Sequence, residues 1–439
     1  MELLWLAVAH SPKLCTPTDS RATGRGRPRA RSRLLARAYK SVAAPAIPSS
    51  LSRAPVDRIP PDSRHLSTLF TYALARPYPS THQPTNMATS TRPEHTVAIT
   101  EADTIPGFYA ARACLSARNW HQVVCGVTDI KSELARELAK EGARIVPADL
   151  DNPNSIKHLV GNADALVMVP PRDFDAADKL KKVLDALEDM QVPLVAAAAE
   201  STQQQGSDNK LRAMVFVSCI LAAMHGAAVE GAESRDHKNV VQQWLAMEKE
   251  VKHRCKKATI CRVGFPMQSM FALSEIIQNK GVMPLNFGNG EVAPVNLKDA
   301  MMGLAKVAHE SVMHGHPGGK AAAAHHGQLY TLTGTQLLTA AQLASTATHV
   351  LEAPVTYRSI DDHEMRRILE ASSGLHRYDV EEFLTAAKCI RMGKMAIRTQ
   401  DLERLLQRQP STIDRFWQEN KTMFKPRGGR IIQAVTKDY

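Results

Sequence analysis

From residue 95 onward the chain alternates short, almost wholly apolar runs with longer stretches of helical spacing, and this alternation restricts the fold to a parallel sheet wound on both faces. A strand that is apolar along its whole length must be covered on both sides. Residues 95–100, 123–127, 144–147, 163–169, 213–219 and 259–263 read as six such strands. Helices are expected over 107–119, 131–141 and 174–190, and from Pro153 and Pro193. Leu134 and Leu138 lie four apart, and Gly142 ends their helix as a C′ glycine does. Asp151 or Asn152 caps the next helix, with Pro153 in its first turn. Beyond residue 264 the regularity loosens. Short strands are expected at 291–296 and 328–333, and helices over 298–310, 339–351, 361–373, 379–399 and 411–424. Residues 203–210 read as a polar loop and 314–326 as a Gly/His/Ala-rich one. The expected division is a disordered basic segment 1–94, a doubly wound α/β domain 95–264, a smaller α/β part 265–425 and a tail 426–439.

The turn after the first strand conflicts with that frame. In folds that bind a dinucleotide, G-x-G-x-x-G or G-x-x-G-x-x-G here lets backbone N–H groups close on a diphosphate at a helix N-terminus. This chain has Glu101-Ala-Asp-Thr104-Ile-Pro-Gly107, and only the last glycine remains. Glu101 falls on the first glycine position and brings bulk and negative charge. Asp103 adds a second charge. Gly107 still allows close helix–strand packing, and Pro106 suits a helix start. Binding is expected to be weakened or lost unless the turn takes another path. The competing reading is an ordinary loop in a fold kept for its packing.

The net charge of +11 is concentrated at one end. Residues 1–86 hold thirteen Lys and Arg against four acids, which leaves the rest of the chain close to neutral. A whole-protein case for nucleic-acid binding therefore fails. The basic segment is rich in Arg, Ser, Pro and Ala and lacks periodicity, so disorder is expected. Three readings of it compete with that of a solvated tail without a partner. It is a mitochondrial presequence, or Met87 is the true start, or Gly24-Arg-Gly-Arg-Pro28 and the arginines around it, within residues 21–37, form a nucleic-acid arm similar to an AT-hook. The first places the protein in mitochondria; otherwise it is expected in cytoplasm or nucleus. No run approaches the ~18 apolar residues of a membrane span. Seven scattered cysteines without a C-x-x-C pair fit a reducing compartment and inert thiols.

Six segments, in order, carry a family resemblance. They are Pro147-Ala-Asp-Leu-Asp-Asn-Pro-Asn-Ser-Ile156, Val215-Phe-Val-Ser218, Ala258-Thr-Ile-Cys-Arg-Val-Gly-Phe-Pro-Met267, Gly290-Glu-Val-Ala-Pro-Val-Asn-Leu-Lys-Asp299, Tyr330-Thr-Leu-Thr-Gly334 with Leu338-Thr-Ala-Ala-Gln-Leu343, and Arg408-Gln-Pro-Ser-Thr-Ile-Asp-Arg-Phe416. In the last, Gln407 stands where the pattern has glycine. Together they make residues 95–425 resemble the nitrogen-metabolite-repression regulator (NmrA-like) family of atypical short-chain dehydrogenase/reductases. The resemblance implies a Rossmann domain that binds NAD or NADP and a C-terminal part that forms a substrate or partner cleft. Members include redox-sensing regulators that bind dinucleotide without turnover, and NAD(P)H-dependent reductases of quinones or aromatic ethers. The positions it assigns to the cofactor are Thr100, Thr104, Ile105, Gly107, Thr128, Asp149, Leu150, Val169, Pro170 and Ser218. It assigns none to catalysis or to a metal. Family members often place Arg after the second strand to hold the 2′-phosphate of NADP. Thr128 stands there, followed by Asp129, which suits a ribose hydroxyl better.

Reductases of this superfamily usually use Tyr-x-x-x-Lys, in which the lysine lowers the tyrosine pKa and holds the ribose. Counting back from Arg262 places those positions on Val240 and Trp244. Only a small insertion would bring Lys238 into place, and no Tyr occurs between Tyr109 and Tyr330. His314, His316, His325 and His326 offer imidazoles, but their Gly/Ala spacing reads as a surface loop rather than a metal site. Lys249, Lys252, His253, Arg254, Lys256 and Lys257 read as a solvated helix face. The expectation is a non-catalytic regulatory or redox-sensing protein with a protein partner. The alternative is an NAD(P)H-dependent oxidoreductase of a quinone or similar electrophile.

Overall fold

The computed structural model describes residues 95–192, 210–224, 240–313, 325–372 and 375–427. The basic segment, Met87, the helix from Pro193, most of the 203–210 loop, Lys238, His314, His316 and residues 428–439 lie outside them.

The first half alternates as its sequence requires: β1 (Thr96–Ile99), α1 (Ile105–Ala117), β2 (Gln122–Val127), α2 (Glu133–Lys140), β3 (Arg144–Pro147), α3 (Pro153–Val160), β4 (Ala165–Met168), α4 (Ala176–Asp189), β5 (Ala213–Cys219), α5 (Val240–Arg254) and β6 (Thr259–Val263). Then follow α6 (Ser274–Lys280), β7 (Val282–Leu285), β8 (Glu291–Val292), α7 (Leu297–Met313), β9 (Leu329–Leu332), β10 (Leu338–Thr339), α8 (Ala340–Leu351), β11 (Thr356–Ser359), α9 (Asp362–Ala371), α10 (Arg377–Arg391), α11 (Asp401–Leu406), α12 (Ile413–Glu419) and α13 (Lys421–Phe424). Short 3-10 turns follow β5 and β6.

Seven strands form one sheet in the order β3-β2-β1-β4-β5-β6-β9, and every neighbouring pair is parallel. The order reverses between β1 and β4, which opens a crevice beyond the carboxyl ends of those strands. All four residues of β4 are buried, because both faces are covered. Leu166 and Met168 join the core on one face with α3, α4 and α5, while Ala165 and Val167 join the other with α1 and α7. The first of these cores continues through Phe265, Phe287, Phe383, Phe416 and Phe424, so it runs unbroken into the C-terminal elements. No helix among the described residues is long and apolar enough to cross a membrane.

Several boundaries differ from the sequence expectation. Helix α1 starts at Ile105, two residues before Gly107, because Thr104 caps it. Strand β8 is confined to two residues. The helix expected over 379–399 stops at Arg391, where Gly393 takes a φ of 72°. The short α11 is separate from it, and the 411–424 helix is two helices broken at Asn420. Strands β7 and β11 pair in a small parallel sheet that the sequence did not announce. β11 is largely exposed and β7 contains Pro284, so neither shows a clean period of two.

Two of the six motif segments meet in space. Asp299, at the start of α7, accepts from Arg408 Nη2 at 2.5 Å and from Ser411 N at 2.6 Å. Gln407 holds a φ of 55°, the left-handed conformation glycine would supply there.

Candidate functional site

The crevice is built by the turn from Thr100 to Gly107. Thr100 is fully buried, and its hydroxyl donates to Val169 O at 2.6 Å and accepts from Val169 N at 2.8 Å. It ties β1 to the end of β4 and forms the floor of the crevice. Glu101 follows with a φ of 50°. Its carbonyl accepts from Thr104 N at 3.0 Å and from the Thr104 hydroxyl at 2.7 Å. A Cβ on Gly107 would lie 1.9 Å from that same oxygen. Glu101 thus takes a left-handed conformation that favours glycine, and Gly107 is required by the closeness of the chain.

The turn spends much of its backbone hydrogen-bonding capacity within the protein. Ala102 N donates to Gly126 O at 2.8 Å, Thr104 N to Glu101 O, and Gly107 N to Thr104 Oγ1 at 3.4 Å. Pro106 has no N–H at all. A diphosphate at the N-terminus of α1 therefore meets fewer donors than a glycine-rich turn provides. The local charge also opposes it. Burial and then the neighbouring Asp103 push the Glu101 carboxyl up to about 7, with Asp149 and Asp173 adding to the shift and Lys179 opposing it. Asp103 itself turns toward β2. Its Oδ2 accepts from Thr128 N at 3.0 Å and Asp129 N at 2.9 Å.

A largely apolar cavity of about 330 Å3 runs from this turn to the C-terminal helices. Asp103, Thr104, Ile105, Val169, Pro170 and Ser218 line it at one end, and Phe265, Leu369, Phe383 and Met395 at the other. Of the ten expected cofactor positions, Thr104, Ile105, Val169, Pro170 and Ser218 come together here. Thr100 and Gly107 lie beneath, shaping the turn. Thr128 is exposed beside Asp103, Asp149 is exposed, and Leu150 is buried in the core. Asp149 closes its own turn, accepting from Asp151 N at 2.9 Å.

Several polar groups of the cavity are committed to protein partners. Trp244 occupies the position expected for the lysine, and its indole N–H donates to Glu382 Oε1 at 2.9 Å. The Ser218 hydroxyl donates to Glu248 Oε1 at 2.7 Å. Burial works against the Glu248 charge, yet the Arg262 guanidinium, bound at 2.7 Å through both Nε and Nη2, and Ser218 hold its carboxyl below the usual range. Arg172, directly after the Pro170-Pro171 break, binds Asp379 and Glu382 on α10, the latter at 2.5 Å. This clamp was not foreseen. Asp379 and Glu382 share a helix face by their spacing of three, but nothing local in the sequence points from them to Arg172. Cys219 also lines the cavity, and burial and then Glu382 raise its thiol well above the ordinary value, which makes it inert.

Two other clusters resolve into structure. His325 is buried, not on a surface loop as expected: Nδ1 lies 2.9 Å from the Tyr330 hydroxyl and Nε2 2.8 Å from Glu310. In the basic run, Arg254 is anchored on Asp185 and Glu188, whereas Lys249, Lys256 and Lys257 are exposed.

No protein-family model matches the chain. A curated relative, an NAD(P)H azoreductase of Xenophilus azovorans, is 24% identical over 227 residues, a match spanning 52% of this chain and 65% of the azoreductase. Among solved structures, NmrA, a negative transcriptional regulator, superposes with a TM-score of 0.57 at 12% identity, covering 76% of this chain and 97% of that one. The chain has the NmrA-like Rossmann fold. An NADPH-dependent quinone oxidoreductase of Escherichia coli matches with a TM-score of 0.54 at 17% identity, over 73% of this chain and 98% of that one. At these identities the likeness of the chain to the solved structures is one of fold.

Proposed function

We propose that this protein binds a nicotinamide dinucleotide and serves as a regulatory, redox-sensing protein without catalytic turnover. The observation that carries the reading is the state of the catalytic positions. Val240 and Trp244 stand where the Tyr and Lys are expected, and the two remaining donors, the Trp244 indole and the Ser218 hydroxyl, already serve Glu382 and Glu248. No proton is left for delivery from these positions. The shape of the site favours binding: the turn at Gly107 closes tightly on Glu101, α1 presents its N-terminus, and the cavity begins at Thr104 and Ile105. Two of the solved NmrA structures that share this fold are complexes, one with NAD and one with NADP.

The apolar cavity favours a second reading, a reductase of a flat apolar acceptor. A bound reduced dinucleotide supplies a hydride at its nicotinamide, so this chain's residues would only bind and orient the acceptor and exclude water. The azoreductase and the quinone oxidoreductase stand on that side.

Calorimetric titration of the full chain with NAD(H) and NADP(H), followed by NADH oxidation assays with a naphthoquinone and an azo dye, separates the two. Binding without turnover supports the regulatory reading. Turnover supports the reductase. Absence of binding at millimolar dinucleotide overturns both.

A further inference from the structure

The dinucleotide reading leaves open which dinucleotide, and Asp103 bears on that choice. The turn after the second strand of a Rossmann sheet meets the adenosine ribose, where an acidic side chain suits a free 2′-hydroxyl and a basic one a 2′-phosphate. Here that turn presents two backbone N–H groups, of Thr128 and Asp129, converging on one point. Two converging amides make an anion site. The anion that fills it belongs to the chain: Asp103 Oδ2, at 3.0 Å and 2.9 Å.

Three further observations agree. Thr128 brings no positive charge. Asp129 is itself acidic, so Lys131 only balances it within residues 128–132. The second Asp103 oxygen, Oδ1, is buried and has no hydrogen-bond partner, while the residue lines the cavity. A buried acceptor without a donor is costly, and a ribose hydroxyl would satisfy it.

We infer that Asp103 is the specificity-determining residue of the site: its carboxylate occupies the amides a 2′-phosphate would need and offers its free oxygen to a ribose hydroxyl, so that the site takes NAD(H) and rejects NADP(H). The discrimination is placed on the glycine turn instead of at the end of β2. The inference rests on the dinucleotide reading of the preceding subsection.

The test is calorimetry of the full chain with NADH and with NADPH, for the wild type, Asp103→Ser and Asp103→Asn, with a thermal melt of each to establish that it is folded. The wild type is expected to bind NADH at least about tenfold more tightly, since a phosphate beside a carboxylate is a like-charge contact. Asp103→Ser frees both amides and is expected to move the ratio about tenfold or more toward NADPH. Asp103→Asn keeps an acceptor for the amides without the charge and falls between. Gain of NADPH binding by the serine variant supports the inference even where the wild type binds neither dinucleotide. An equal affinity of the wild type for both, or a ratio unchanged in the folded variants, overturns the inference and leaves the dinucleotide reading standing. No binding of either dinucleotide to the wild type or the variants overturns that reading and the inference with it.

Discussion

Glu101 combines two costs at one residue, a left-handed backbone and a carboxyl set among Asp103, Asp149 and Asp173. Its loss of the glycine was legible in the sequence; that Glu101 would take a left-handed backbone was not, because the close approach of Gly107 to its carbonyl is a tertiary contact. The charge has a pH signature. The unfolded residue titrates near its ordinary value of 4.5 and the folded one at about 7. Below 4.5 both states hold the proton and the residue does not affect stability. Between the two values the unfolded chain releases its proton first, and above 7 the penalty on the folded state is fully present. Glu101→Gln is therefore expected to raise the melting midpoint at pH 8 and leave it unchanged at pH 4. Equal shifts at both pH values would show that the carboxyl is not crowded. Gly107→Ala drives a methyl into the Glu101 carbonyl and is expected to cost about 3 kcal/mol in a urea melt. A neutral result would mean the turn relaxes freely.

Among the elements, α7 and the segment after α11 are held by Asp299, a buried carboxylate with two donors, Arg408 and Ser411 N. Asp299→Ala leaves both donors unmatched and is expected to cost about 2–3 kcal/mol, discounted because the Arg408 side chain is 41% exposed. Both halves of this contact were visible as motifs, although their meeting was not. The Arg172 clamp is the reverse case. No motif marked it, since a long-range pairing between a residue after β4 and a face of α10 has no local pattern. Arg172→Ala leaves the Asp379 and Glu382 carboxylates beside the cavity without their shared cation. It is expected to destabilise by about 3 kcal/mol. Chemical denaturation at low and high salt checks this: a loss that salt does not reduce would contradict the charge argument.

Across the whole molecule the parallel sheet was legible because each strand is a short apolar run bounded by turns, and a period of that kind survives any change in the loops. The C-terminal elements were less so, because β7 and β11 are short, one broken by proline and the other wet. The described core clusters are assembled from residues 97–424. Residues 1–86 carry no apolar periodicity in sequence, so their removal is expected to leave the melting midpoint and the dinucleotide titration unchanged, and a loss of binding would assign that segment a part in the site. Trp244 has a consequence of a different kind. Of the described tryptophans, Trp417 is sealed in an aromatic cluster and Trp120 packs edge-on against His309, while Trp244 alone faces the cavity. The side chain at the position expected for the lysine is also a fluorophore lining the binding space. Anything that enters and disturbs its bond to Glu382 alters its emission, so the protein carries its own optical indicator of occupancy.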